Sequence, residues 1–90
     1  MKRRLVVIPT FNEAGNITSL IDQLFTSIPE LEVMVVDDGS PDGTAFICKG
    51  LQENNRKLHL IERHTKSGIG SAYRMAFIWA LEQEFDEIIE

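Results

Sequence analysis

The chain has 90 residues, of which 43% are apolar and 26% are charged, as is ordinary for one small globular domain. Its net charge of −5 and its pI near 4.9 argue against a nucleic-acid binder, which needs clustered Lys and Arg to neutralise phosphates. The single cysteine, Cys48, excludes an internal disulfide framework, and no apolar run is long enough to span a bilayer. We therefore expect a soluble, cytoplasmic segment with Cys48 packed in its core.

Strand-like and helix-like segments alternate along the chain. A first strand is predicted over 5–8 and ended by Pro9, and Asn12 is the candidate N-cap of the first helix. A strand over 32–36, a helix starting at Asp42 or Thr44, a strand over 58–61, a third helix and a strand beginning at 87 follow. The inner helix faces are predicted from apolar spacing: Ile17, Leu20, Ile21, Leu24, Phe25 and Ile28 in the first, Phe46, Ile47 and Leu51 in the second, and Ala72, Tyr73, Ala76, Phe77, Ala80 and Leu81 in the third.

This alternation predicts an α/β fold with a parallel sheet, since parallel strands need helical crossovers. The fourth strand, over 87–90, has no turn signal after it. We therefore expect a fragment of a longer protein.

The second predicted strand is the feature that most needs a functional explanation. It is an apolar run that ends in two adjacent acids, Asp37 and Asp38, followed by a turn-forming cluster that contains Asp42. In parallel α/β sheets, ligands bind at the carboxyl ends of the strands. A carboxylate there can accept hydrogen bonds from a uracil or guanine base, or orient a ribose hydroxyl or a cationic side chain. Since Asp42 already suits a turn or cap, the surplus acids favour a ligand site.

Other motifs carry weaker signals. The acids from Asp38 onward resemble the start of a calcium loop, but Lys49 stands where a bidentate Glu is required, which excludes that site. The segment 68–70 lacks the third glycine and the acidic residue of a dinucleotide fingerprint. It suits either a simple turn or a phosphate cradle with Lys66 supplying charge. Glu13 suits either a first-turn position or a ligand contact.

Three segments together resemble family 2 glycosyltransferases, and more narrowly the dolichol-phosphate and polyprenol-phosphate mannosyltransferases. They are Val7–Glu13 (VIPTFNE), Val35–Thr44 (VVDDGSPDGT) and Lys66–Tyr73 (KSGIGSAY). The resemblance covers the whole chain in the right order. The second and third segments are more specific to this subgroup than the Asp-Asp pair is to the family at large.

The resemblance implies the N-terminal half of a GT-A, Rossmann-like fold, with residues 1–90 forming the nucleotide-sugar-binding half. Pro9, Phe11 and Glu13 would line the base and ribose site, and Val36 and Asp38 would also contact the nucleoside, with Asp38 facing the base. Phe11 replaces a common Tyr, which retains stacking and loses a hydroxyl. The metal-binding Asp-x-Asp, expected to hold Mg or Mn, would follow the fourth strand, beyond Glu90.

The implied activity is transfer of mannose from GDP-mannose to a dolichyl or polyprenyl phosphate, with inversion at the anomeric carbon. This fragment would be inactive by itself, and membrane contact at the cytoplasmic face would come from parts of the protein beyond it. Two alternatives remain open. One is a UDP-sugar-dependent transferase acting on polyprenyl phosphate, and the other is a nucleotide-binding module without turnover.

Overall fold

The predicted alternation of strands and helices is confirmed by the computed structural model, which describes residues 2–64 and 68–90. In this part of the chain the strands are β1 (Arg4–Thr10), β2 (Glu32–Asp37), β3 (Leu58–Glu62) and β4 (Glu87–Ile89). The helices are α1 (Ile17–Ser27), α2 (Thr44–Gln52) and α3 (Ile69–Glu82). Each predicted element is therefore present, with small changes at its ends.

The strands form one parallel sheet in the order β3-β2-β1-β4. The chain steps outward from β1 to β3 and then returns through α3 to the other side of β1. The sheet separates two apolar clusters, because successive side chains of a strand point to opposite faces. One cluster packs under α3 and contains Leu5, Val7, Met34, Val36, Ala72, Ala76, Ala80 and Phe85. The other packs under α1 and α2 and contains Ile17, Ile21, Leu31, Val33, Val35, Cys48 and Leu58.

Pro9 does not end the first strand, contrary to the prediction. β1 continues to Thr10, and Pro9 lies in register with Val36. The carbonyl of Thr10 accepts a hydrogen bond from the Asp38 N–H on the β2 side. Because successive residues of a strand bond to alternate sides, the missing N–H of Pro9 would face the β4 side, where the described pairing with β1 stops at Val6. In the described part of the chain, no strand lies beside Pro9 on the side that its missing N–H would face.

Several helix assignments also need correction. Asn12 has a positive φ of 58° and precedes the helix, and Asn16 is the residue at the N-cap position. Phe46 is 80% exposed, because the inner face of α2 is made by Thr44, Ala45 and Cys48. Other apolar side chains that were assigned inward are exposed: Leu20, Ile28, Phe77 and Leu81.

The inner face of α3 is a row of alanines, Ala72, Ala76 and Ala80. These small side chains let the helix lie close to the sheet. The expected burial of Cys48 is confirmed, since its side chain is fully covered. Burial, together with the nearby charge of Asp37, raises the pKa of the Cys48 thiol to about 11. Among the helices of the described chain, none combines the length and apolar character that crossing a membrane requires.

Candidate functional site

A cleft of about 400 Å³ lies at the carboxyl edge of the sheet, on the face covered by α3. Its volume is within the range of small-molecule sites. It lies beside β1, from which the strand order runs in both directions, and such a switch point is where parallel α/β sheets bind ligands. The lining residues come from the end of β1, the end of β2 and the start of α3: Pro9, Thr10, Phe11, Glu13, Asp38, Gly68, Ile69 and Tyr73.

Asp37 builds the turn that follows β2. Its carboxylate is 1% exposed and accepts hydrogen bonds from the Thr10 hydroxyl at 2.7 Å and from the Ser40 hydroxyl and N–H at 2.6 and 2.9 Å. Three donors satisfy the buried charge, which would otherwise be costly. Asp37 therefore has a structural role and faces α1 and α2, away from the cleft.

The same turn also holds the loop between β1 and α1. The backbone N–H groups of Asn12, Glu13 and Ala14 donate in sequence to Ser40 Oγ at 2.8 Å, Thr44 Oγ1 at 3.0 Å and Asp42 Oδ2 at 3.0 Å. These three acceptors are side chains of one motif, so the motif sets the path of a loop more than 25 residues away in sequence. We call this set of hydrogen bonds the loop latch.

Asp42 has the turn and capping role that the sequence predicted. Its Oδ1 accepts from the N–H of Thr44 at 3.0 Å and from the Thr44 hydroxyl at 2.5 Å, at the start of α2. The Thr44 hydroxyl, and then the N–H of Ala14, hold the pKa of Asp42 below its usual range. The Asp42 carboxylate thus forms hydrogen bonds within the protein and does not line the cleft.

Asp38 points to the other face and is 8% exposed. Arg63, a residue that is also 8% exposed, forms an ion pair with it through its guanidinium, and Arg63 Nε lies 2.5 Å from Asp38 Oδ1. The same guanidinium donates to Ser71 Oγ at 2.8 Å and to the Gly68 carbonyl at 3.0 Å. The acid that lines the cleft is therefore held by a buried arginine.

Gly39 makes this approach of the two loops possible. It has a φ of 76°, and a Cβ at this position would lie 3.2 Å from the carbonyl oxygens of both Arg63 and His64. A larger residue would therefore combine backbone strain with a contact against main chain that cannot swing aside. The glycine keeps Asp38 and the Arg63 segment side by side.

Four of the predicted site residues line the one cleft: Pro9, Phe11, Glu13 and Asp38. Phe11 is 40% exposed, so its ring is accessible at the mouth. Val36 is fully buried under α3, and its side chain belongs to the core. Lys66 lies outside the described residues, so its assignment stays a prediction.

Sequence reasoning missed Arg63, Ile69 and Tyr73. A usable signal for Arg63 existed, because Asp37 pairs with Glu62 in the β2–β3 register, so the next residues along both strands are Asp38 and Arg63. An acid and an arginine directly after adjacent parallel strands should meet. That step needs the strand order, which the sequence leaves open.

The described residues do not fit a metal ion. In the ranges 2–64 and 68–90 no three His, Cys, Asp or Glu side chains come together as a metal would require. The adjacent acids Asp37 and Asp38 face opposite sides of the sheet, and each is engaged by protein donors. A cofactor metal would have to be held by residues from elsewhere.

The sequence profile described as "Glycosyl transferase family 2" matches residues 5–84. This chain belongs to that family. The match spans all three segments that carried the resemblance, and the cleft lies within it.

Two curated relatives of this family 2 chain are bacterial enzymes. It is 39% identical to an undecaprenyl-phosphate mannosyltransferase of Micrococcus luteus over 88 residues, which is 98% of this chain and 36% of the relative. It is 36% identical to the polyprenol monophosphomannose synthase of Mycolicibacterium smegmatis over 90 residues, which is 99% of this chain and 34% of the relative. The chain thus spans about a third of the length of these relatives.

A solved structure confirms the predicted α/β, GT-A-type fold. The mannosyltransferase PcManGT from Pyrobaculum calidifontis, solved in complex with GDP-Man and Mn²⁺, superposes with a TM-score of 0.78 at 32% identity. The superposition covers 87% of this chain and 24% of that protein.

Proposed function

We propose that the protein transfers mannose from GDP-mannose to a polyprenyl or dolichyl phosphate, and that this chain supplies the pocket for the donor's nucleoside. The observation that carries the proposal is the convergence of Phe11, Glu13 and Asp38 on one cleft at the switch point of the sheet. The mannosyltransferase names of the two relatives, and the GDP-Man complex of the solved structure, support this choice of donor and acceptor.

The cleft residues suit the parts of a nucleoside. The exposed ring of Phe11 offers a stacking surface for the base. The carboxylate of Asp38 accepts hydrogen bonds from N–H groups on a base edge, and that of Glu13 accepts them from ribose hydroxyls. Guanine presents two adjacent donors, N1–H and the 2-amino group, whereas uracil presents one, so a carboxylate acceptor favours guanine.

The proposed reaction is a displacement at the anomeric carbon. An oxygen of the lipid phosphate forms the new bond, and the bond to the diphosphate breaks, so GDP leaves with the electron pair and the configuration inverts. The lipid phosphate is already anionic and needs little help from a base. The chain's part in this scheme is to bind and orient the donor, which by itself can lower a barrier substantially.

The divalent metal of the proposed enzyme, Mg or Mn, does not fit the side chains of residues 2–64 and 68–90. We propose that an Asp-x-Asp pair follows Glu90. Val6 pairs with Ile89, so in the same register the third residue after Ile89 would lie opposite Pro9, at the rim of the cleft. Two acids spaced i and i+2 share one strand face and suit a divalent cation. The codons after Glu90 test this directly, and the absence of such a pair would favour a binding module without turnover.

Membrane contact and position belong to the same proposal. The acceptor lipid would bring the protein to the cytoplasmic face of a membrane, with contact made by parts of the protein beyond this chain.

Calorimetric titration of the full-length protein with GDP-mannose tests the nucleoside site. Asp38→Asn should weaken binding by about 10- to 150-fold, which corresponds to one charge-assisted hydrogen bond of about 1.5–3 kcal/mol. Asp22→Asn is the matched control, because this acid is exposed on α1 and does not line the cleft. Equal losses in the two variants would contradict the assignment. Tighter binding of UDP-glucose than of GDP-mannose would instead identify a UDP-sugar enzyme.

A further inference from the structure

The charged side chain of Arg63 is buried, and its burial requires an explanation. Its side chain is 7% exposed, although a guanidinium is always charged and costly to remove from water. Its backbone N–H donates to the Asp37 carbonyl at 2.8 Å and extends the β2–β3 ladder by one residue. The side chain is thereby aimed along the carboxyl edge, toward the wall of the cleft.

The guanidinium joins two separate segments through three partners. It binds Asp38 after β2, the Gly68 carbonyl before α3, and the Ser71 hydroxyl in the first turn of α3. A guanidinium is planar, so these directions are fixed relative to one another. A lysine ammonium carries the same charge but cannot impose this fork.

These segments are also the walls of the cleft. Asp38, Gly68, Ile69 and Tyr73 all line the cleft, whereas Arg63 itself does not. Arg63 is thus placed to act on a ligand through its partners. Its hydrogen bonds tie the Asp38 carboxylate to the start of α3.

We infer that Arg63 is a positioning residue for base recognition: it holds the Asp38 carboxylate where paired N–H donors of a guanine edge meet it, at a fixed width from the α3 wall. This inference rests on the proposed nucleotide site and extends it to the source of base preference. Loss of the fork changes the surroundings of the Asp38 carboxylate while its charge remains, so we expect discrimination between bases to fall more than binding as a whole.

A purely structural role makes a different prediction. If Arg63 only stabilised the fold, its replacement would weaken all nucleotides to the same degree. The ratio of affinities for GDP and IDP separates the two cases, because IDP differs only by lacking the 2-amino group. One hydrogen bond to a charged acceptor makes this ratio at least about tenfold.

The test is calorimetric titration of the full-length protein with GDP and with IDP, in buffer containing Mn²⁺. Wild type is compared with Arg63→Lys and with Arg3→Lys, in which the replaced arginine also binds a carboxylate, that of Glu32, at the opposite edge of the sheet. Circular dichroism confirms that each variant is folded. We expect the GDP:IDP ratio to stay above about tenfold in wild type and in Arg3→Lys, and to approach 1 in Arg63→Lys.

Each of the remaining outcomes of the titrations counts against the positioning role of Arg63 or moves the test to a second variant. An Arg63→Lys variant that binds more weakly but keeps the wild-type ratio overturns the inference, as does a wild type that binds both nucleotides equally. If wild type binds neither GDP nor GDP-mannose, the proposed function fails and the inference fails with it. If Arg63→Lys does not fold, Ser71→Ala decides instead. It removes one acceptor of the fork and should lower the ratio about threefold, and an unchanged ratio would count against the positioning role.

Discussion

The two edges of the sheet both hold an acid against an arginine, but in opposite surroundings. At the carboxyl edge, the side chains of Arg63 and Asp38 are 7% and 10% exposed, and the acid opens onto the cleft. At the amino edge, Arg3 donates from Nε and Nη2 to Glu32 at 3.2 and 3.1 Å, and the Arg3 side chain is 46% exposed. An arginine–carboxylate pair is therefore covered at the carboxyl edge, whereas at the amino edge the Glu32 side chain is 15% exposed and its arginine is half exposed.

The contacts at the amino edge hold the strands and the end of α3 together. Glu32 also bonds His59 Nε2 at 2.9 Å, and Arg3 donates to the Gln83 carbonyl at 2.6 Å and stacks on Phe85 at 4.1 Å. These contacts tie the starts of three strands to the end of α3. Exposed pairs of this kind contribute little individually, since water screens them.

The contrast indicates which pair serves ligand binding. A buried ion pair rarely adds stability over apolar residues of the same size, so its presence calls for another explanation. The carboxyl edge buries both charges beside a cleft, whereas the amino edge buries mainly the acid and leaves the arginine half exposed. Measurements on both edges can test this difference.

The largest expected effect is on Arg63. Arg63→Met removes one partner of a buried pair and should lower the free energy of unfolding by about 3–5 kcal/mol. Arg3→Met, at the half-exposed amino edge, should lower it by about 1 kcal/mol. Urea denaturation of the full-length protein at pH 7 measures both. Equal losses would mean that burial does not distinguish the two edges.

The next effect concerns the other acid of the carboxyl edge. Asp37→Asn keeps the shape of the side chain but removes the charge that accepts three hydrogen bonds, so stability should fall by about 2 kcal/mol. Asp22→Asn, on the exposed side of α1, is the control and should change stability by less than about 0.5 kcal/mol. Thermal denaturation followed by circular dichroism compares them. A neutral Asp37→Asn would refute the turn-building role.

The smallest effect is at the amino edge and depends on pH. Burial alone would raise the pKa of Glu32, but hydrogen bonds and charge from His59 and Arg3 outweigh burial, so its pKa lies below the usual 4.5. A carboxyl with a lowered folded pKa stabilises the protein above its unfolded pKa, and this contribution is lost as the pH falls through the folded value. Glu32→Gln should therefore cost about 1 kcal/mol at pH 7 and progressively less below about pH 4.5.

Urea denaturation of wild type and of Glu32→Gln across this pH range measures the stability difference between them. A stability difference that stayed constant down to the lowest pH would show that the charge of Glu32 is not what the amino edge uses.

The strands were predictable because their apolar runs are short and bounded by turn residues, as in 32–36. The inner helix faces were only partly predictable. In α3, apolar residues occur nearly all round, so spacing alone could not show that the alanines, rather than Phe77 and Leu81, face the sheet. Close packing against the sheet selects the small side chains.

The site was predictable where one motif carried it. Asp38 follows β2 directly and Glu13 lies three residues after β1, so the shared edge brings them together. Arg63 required knowledge that β3 lies beside β2, which depends on the packing of the whole domain. The effect of Pro9 was unpredictable for the same reason. Whether a proline interrupts a strand depends on which side of that strand is paired with a neighbouring strand.

The loop latch has a consequence for how this site can change over time. The donors of the latch are the main-chain N–H groups of residues 12–14, which every residue type except proline carries. The acceptors are the particular side chains of Ser40, Asp42 and Thr44. The path of the loop between β1 and α1 is therefore set by side chains of the Val35–Thr44 segment. Substitutions at positions 11 and 13 leave these acceptor side chains in place, so they would change the ligand contacts of the cleft without removing the loop latch.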